Sequence, residues 1–277
     1  MSWITGPMEF EFFRLGLISA ALAGALLGMV GVYVVQRGMS YAGHGLAHAT
    51  FGGAVVSYLL GVNLYLGAGL WGLVVMLAIN RISRRRIIGS DAAIGVVTTA
   101  SFAFGLALIS RRSGFTKNFE ATLFGNVLGV EAGDVILIAG VLAGVTIVIL
   151  LRYWRLLFVA FDPEVAELSG VSLARVDALL ALMLAVSIMA TMKLLGVTLI
   201  AAAIVTPPVI ARMLTTSFSR MLVISTAAGT LIGIAGMFAS YHLDIASGPA
   251  IVLVGFVTFV AVSVPAIIDP RREAAGV

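Results

Sequence analysis

His44 and His48 stand four residues apart in GMSYAGHGLAHATFGG, a spacing that on a helix points both imidazoles the same way. Imidazole suits Zn, Cu, Fe and Ni, and two on one face supply half of a tetrahedral shell. One further histidine exists, His242 in SYHLD, with Asp244 two residues beyond it. Cysteine is absent, which excludes thiolate sites, disulfides and Cys nucleophiles. Two imidazoles cannot close a metal site, and that suits an ion in transit, which must bind well enough to enter and weakly enough to leave. A plainer reading satisfies the pair with backbone carbonyls in a glycine-rich break. For His242 and Asp244 the alternatives are metal capture and a hydrogen-bonded helix end.

The surrounding chain decides how much weight those polar residues carry. Of 277 residues, 61% are hydrophobic and 11% charged, and mean hydropathy is +1.12. A soluble domain carries roughly 25% charged residues, so this composition is that of an integral membrane protein. Ionisable groups at membrane depth are costly, and they are functional candidates by default. Apolar runs of spanning length occupy 13–36, 46–62, 64–80, 92–110, 133–151, 173–193, 195–214, 221–241 and 249–268. The expected fold is an all-α polytopic bundle of eight to nine spans, as a single domain over 1–277. The first run lacks a basic segment before it and reads as a retained helix. Gly24-Gly28, Gly140-Gly144 and Gly229-Gly233 have the spacing of helix-contact motifs.

Alternating nine segments places twelve of the 17 Lys and Arg on one side and five (Arg14, Arg111, Arg112, Lys117, Lys193) on the other. The richer side reads as cytoplasmic, which puts the N-terminus outside and the C-terminus in the cytoplasm. The net charge of +4 is spread in short clusters between apolar runs, which is no nucleic-acid signature. Glu120, Glu131 and Asp134 fall in an outer loop, as solvated charge or as a partner contact. Pro207-Pro208 should break the seventh span by removing backbone donors, with a kink that gates a pathway or merely packs.

The longest amphipathic interruption is RYWRLLFVAFDPEVAELSGVSLARVD, on the side read as cytoplasmic. Asp162 before Pro163, with Glu164 in the first turn, starts a short helix, and Gly170 stops it. Its acidic groups and apolar Val165 and Leu168 resemble the coupling helix that ABC permeases insert into a cleft of their ATPase; an ordinary interfacial connector would read the same way.

The blocks RGMSYAGHGLAHATFGG (37–53), ATLFGNVL (121–128), FDPEVAELSGV (161–171), LLGVTLIAAAIVTPPVIARMLT (194–215) and SYHLDIASGPAIVL (240–253) follow in order. Together they resemble the metal-importing ABC transporter permeases of zinc and manganese uptake, and more distantly the cobalamin and siderophore permeases. The resemblance implies a bacterial plasma-membrane permease working as a dimer with a cytoplasmic ATP-binding subunit and an extracytoplasmic metal-binding protein. It implies no permanently bound cofactor. Zinc or manganese is the cargo, His44, His48, His242 and Asp244 are the metal contacts, and Asp162, Pro163, Glu164, Glu167 and Gly170 form the coupling element at about 162–170. Many members carry an acidic residue where this chain has His44, and the imidazole leans towards zinc. No G-x4-G-K-[ST] loop and no G-x-S-x-G elbow accompanies a histidine, so ATP hydrolysis and acyl transfer are not assigned to this chain. The rival is an ATP-independent carrier or channel. It would need carboxylates buried within the spans, where Asp177 alone lies near an edge.

Overall fold

Apolar runs of about 20 residues satisfy their own backbone as helices, the form that crosses a bilayer without unpaired amides. The computed structural model describes residues 2–84, 90–110 and 124–268. Arg85, Arg86, Arg111, Arg112, Lys117, Glu120, Arg271, Arg272 and the first three residues of the ATLFGNVL block lie outside the described residues. A short α1 (Ser2–Met8) precedes α2 (Glu11–Gln36), α3 (Ser40–Leu60), α4 (Leu64–Arg84) and α5 (Ser90–Ser110). A 3-10 turn (Val127–Gly129) then leads to α6 (Ala132–Phe161), α7 (Pro163–Leu168), α8 (Leu173–Leu195), α9 (Val197–Leu214), α10 (Phe218–Leu243) and α11 (Ser247–Ile268). Among the described residues there is no strand.

Among the described residues, eight helices are long and apolar enough to cross a membrane: α2, α4, α5, α6, α8, α9, α10 and α11. The ninth long helix, α3, has 21 residues but is not among them, because His, Gly, Ser and Thr dilute its apolar content. It nevertheless packs against α4, α5 and α9 inside the bundle. The run at 46–62 is therefore only part of a helix that begins at Ser40, and His44 and His48 lie within it, not in a break. Gly38, at φ +65°, permits the turn between α2 and α3, in which Met39 N donates to Val34 O at 2.8 Å.

Small residues set the central seam. Gly16, Ala20, Gly24 and Gly28 of α2 face Met237, Gly233, Gly229 and Ser225 of α10 in antiparallel order. A Cβ at Gly24 would strike the Gly229 carbonyl, and one at Gly229 the Gly24 carbonyl. Ser225 Oγ adds a hydrogen bond to Gly28 O at 2.6 Å. Close approach of this kind drives association where lipid offers no hydrophobic gain. Gly140 and Gly144 meet nothing within 4 Å, so that third pair forms no contact.

Burial separates a central helix from a peripheral one: 67% of the α8 span is buried, against 17% of α6. Charged knots fasten α8 at its two ends. At one, Arg37 Nη2 pairs with Asp177 Oδ1 at 2.8 Å while Nη1 donates to Val159 O at 3.0 Å. At the other, Lys193 Nζ pairs with Asp134 Oδ2 at 2.6 Å, and Tyr65 Oη donates to Asp134 Oδ1 at 3.2 Å. Asp134 is thus a structural node and not solvated loop charge. These knots put the C-terminal ends of α2 and α6 beside the N-terminal end of α8, and the N-terminal ends of α4 and α6 beside its C-terminal end.

Pro207 and Pro208 do not end α9, which runs on from Val197 to Leu214. The carbonyl that Pro208 leaves without a donor belongs to Ile204, and it packs against Gly31 of α2, where a Cβ would collide with it. Both prolines are buried. The helix continues through both prolines, with the freed Ile204 carbonyl packed inside the protein against α2.

Candidate functional site

α3 carries the histidines about 6 and 12 Å along its axis from Ser40, at 1.5 Å per residue. Their rings lie 4.7 Å apart between centroids and 70° between planes. His48 also meets Phe102 of α5 edge-on, at 5.4 Å and 83°. His44 is exposed and His48 half-buried. A cavity of about 300 Å³ opens beside them, lined by Tyr41, His44, Gly45, His48, Thr98, Thr99 and Phe102.

Glycine on α3 allows this cavity its wall. A Cβ at Gly45 would meet Thr98 Cγ2 at 2.8 Å and Ile94 Cγ2 at 2.9 Å. Gly52 one heptad on lies against the Ser101 carbonyl and Gly105. A relay then ties three helices: Trp71 Nε1 donates to Ser101 Oγ at 2.7 Å, which donates to Ala49 O at 3.0 Å. The back of α3 is therefore fixed and its histidine face is open.

Two nitrogen donors face this space, with oxygen from Tyr41, Thr98 and Thr99 in the same wall. Thr98 Oγ1 donates to Ile94 O at 2.7 Å, so its lone pairs remain for the cavity. No third His, Cys, Asp or Glu joins the pair among the described residues. Neither imidazole has a hydrogen bond to a backbone carbonyl among the described residues, so that plainer reading finds no support there. An open, incomplete donor set of this kind can hold a cation only together with water or groups from another chain.

His242 and Asp244 are elsewhere. They lie at the C-terminal end of α10, beside the start of α2, with Phe13 packed on Tyr241 at 5.4 Å between ring centroids. They stand at the Glu11 end of α2, whose 26 residues span about 39 Å, whereas the α3 pair follows the turn at its Gln36 end. Asp244 caps α10 in the left-handed conformation, φ 52°, and borders a cavity of about 430 Å³ with Phe12, Leu128 and Tyr241. Pro207 lies among α2, α10 and α11 residues, away from the histidine cavity.

The short helix predicted after Asp162 exists as α7. Asp162 Oδ1 accepts from Val165 N at 3.0 Å, Pro163 occupies the first turn, and Gly170 at φ +82° ends it. Ala166 is buried, whereas Asp162, Glu164 and Glu167 are exposed, Val165 is 43% exposed and Leu168 88%. Two apolar side chains thus stand exposed among the carboxylates of this short helix. Sequence spacing did not reveal the Arg37–Asp177 or Asp134–Lys193 knots, whose members are 140 and 59 residues apart.

Known proteins match this chain over nearly its whole length. Residues 9–266 match the ABC 3 transport family. The manganese import system permease ScaB of Streptococcus parasanguinis is 36% identical over 93% of this chain and 91% of its own. An iron transport system membrane protein of Haemophilus influenzae is 31% identical over 93% of this chain and 95% of its own. The solved structure of PsaBC from Streptococcus pneumoniae, in complex with Fab, superposes with a TM-score of 0.87 at 31% identity, covering 98% of this chain and 97% of that one. The chain belongs to the ABC 3 transport family, as a multi-pass membrane permease.

Proposed function

We propose that this permease imports a divalent transition-metal ion, as a dimer driven by a separate cytoplasmic ATP-binding subunit and supplied by an extracytoplasmic metal-binding protein. The observation that carries the metal reading is the His44–His48 pair, 4.7 Å apart on an open cavity within a helical bundle. Exposed imidazoles at this depth need protein or water against them. A second copy facing the first would supply both, and two pairs could then share one ion. His242 and Asp244 receive the ion at the opposite, outer end, and Pro207 and Pro208 shape the helix that moves against α2.

Protruding α7 supports the coupling reading. Glu164, Glu167 and Leu168 would seat in the ATP-binding subunit, with Asp162, Pro163 and Gly170 fixing the helix. Arg37 bonds to Val159 just before α7 and to Asp177 just after it, and three residues later α3 begins. A displacement of α7 is thereby passed to the helix that holds His44 and His48. The carboxylates Asp134 and Asp177, at the ends of the spans, are both ion-paired, which argues against a proton-coupled carrier.

Relatives named for manganese and for iron bracket the cargo. Two imidazoles favour ions later in the divalent series than manganese, so iron or zinc fits this chain's own donors better. The deciding experiment reconstitutes the permease with its ATP-binding subunit and binding protein in liposomes. Metal uptake should require ATP and all three components, and ATP-independent uptake by the permease alone would overturn the proposal.

A further inference from the structure

A second cavity, of about 430 Å³, lies beside α7 at the Arg37 end and is lined by Arg152 and Arg155 of α6, Arg175 of α8, and Ser169 and Ser172 between them. None of the three arginines has a carboxylate partner among the described residues. Ser172 precedes α8, and its hydroxyl makes no capping hydrogen bond. The Leu173 and Ala174 amides in the first turn likewise have no helical acceptor. Three guanidinium groups, two hydroxyls and the positive end of a 23-residue helix converge on one space. Apart from Gly170, none of its lining residues figures in the transport reading.

The chemistry of the lining is that of a phosphate receptor, since guanidinium pairs bidentately with phosphate oxygens and helix amides point at the anion. Its position identifies the source of the phosphate. α6 is the most peripheral span, and Leu150, Leu151 and Trp154 on it are 70%, 76% and 77% exposed, as lipid-facing residues are. Trp154 lies between the two arginines in sequence, an aromatic of the kind that sits at headgroup depth. Apolar Leu156, Val176 and Leu179 complete the wall beneath the charges, where an acyl chain can lie. A free ion would have no use for that floor.

We propose that the Arg152–Arg155–Arg175 cavity binds the headgroup phosphate of an anionic phospholipid of the surrounding leaflet. Occupancy would brace the loop on which α7 is mounted. The site does not depend on the cargo or on which leaflet it faces, so it stands or falls apart from the transport reading.

Native mass spectrometry of the full-length protein with phosphatidylglycerol or phosphatidylcholine tests it. The wild type should retain phosphatidylglycerol in preference by on the order of 100-fold, about fivefold for each arginine at the membrane surface. R152Q/R155Q/R175Q should lose the preference, whereas R212Q/R220Q, which removes two arginines outside the cavity, should keep it. R152K/R155K/R175K should bind more weakly than wild type, because lysine retains the charge without the bidentate fork. Unchanged phosphatidylglycerol retention in the glutamine triple variant overturns the proposal. So does full displacement by millimolar inorganic phosphate, which would make a free anion the ligand. Loss of the ATP-binding subunit from the triple variant with lipid retention intact would assign the arginines to protein docking instead, and equally ends it.

Discussion

The two histidine-bearing regions have similar chemistry and opposite settings. His44 and His48 sit inside a helix whose rear is fixed by Gly45, Gly52 and the Trp71–Ser101–Ala49 relay, and their front opens on a cavity. His242 and Asp244 sit where a helix ends, with the Asp244 backbone in the left-handed cap and its side chain exposed. The first arrangement pre-orients two donors on a rigid element, as an ion site requires. The second leaves a carboxylate at a surface, suited to a passing contact. Identity of side chain says little here; what the backbone behind it is packed against says much more.

Replacing both α3 histidines is the strongest test of that contrast. H44A/H48A should lower metal uptake on the order of 100-fold with assembly unchanged, because among the described residues no third His, Cys, Asp or Glu stands by to replace them. H242A/D244A should reduce uptake only a few-fold, and to a degree that falls as the binding protein is raised. A reversal of the two effects in reconstituted uptake would show that the outer end holds the ion.

Arg37→Ala should uncouple the machine. ATP hydrolysis persists while uptake per ATP falls roughly tenfold, the size of an ordinary coupling free energy. Asp177→Arg combined with Arg37→Asp should recover part of the loss, and no recovery would remove the ion pair from the transmission route. A gentler change, His44→Asp, should shift competition among metals towards manganese, because carboxylate oxygen suits that ion better than imidazole. An unchanged order of competition would separate His44 from the ion. Smallest of all, Tyr65→Phe should cost about 1 kcal/mol by removing one hydrogen bond to Asp134, read as a drop of a few degrees in thermal stability with uptake intact.

Hydropathy made the spans legible, including the split at Gly61-Val62-Asn63, where Gly61 takes φ +68° and Asn63 Oδ1 accepts from Tyr65 N at 3.0 Å. It misplaced the start of α3, because His44, His48 and their glycines depress an average that cannot register packing. It expected a break at Pro207-Pro208, but the helix continues, with the freed Ile204 carbonyl packed against Gly31 of another helix. The helix-contact spacing was right at Gly24-Gly28 and Gly229-Gly233, which face each other, and empty at Gly140-Gly144, which face outward. Motif spacing carries no information on which face of a helix meets protein.

From its residues alone the chain determined its class, its spans, the short acid-bearing helix after Asp162 and the two imidazoles on one helical face. Those follow from local rules of burial, capping and periodicity. Only the tertiary structure decided that α3 belongs in the bundle, that Asp134 and Asp177 are locked to Lys193 and Arg37, and that three arginines meet over one cavity. Each of those depends on helices distant in the sequence arriving side by side, and the close contacts of small residues are what bring them there.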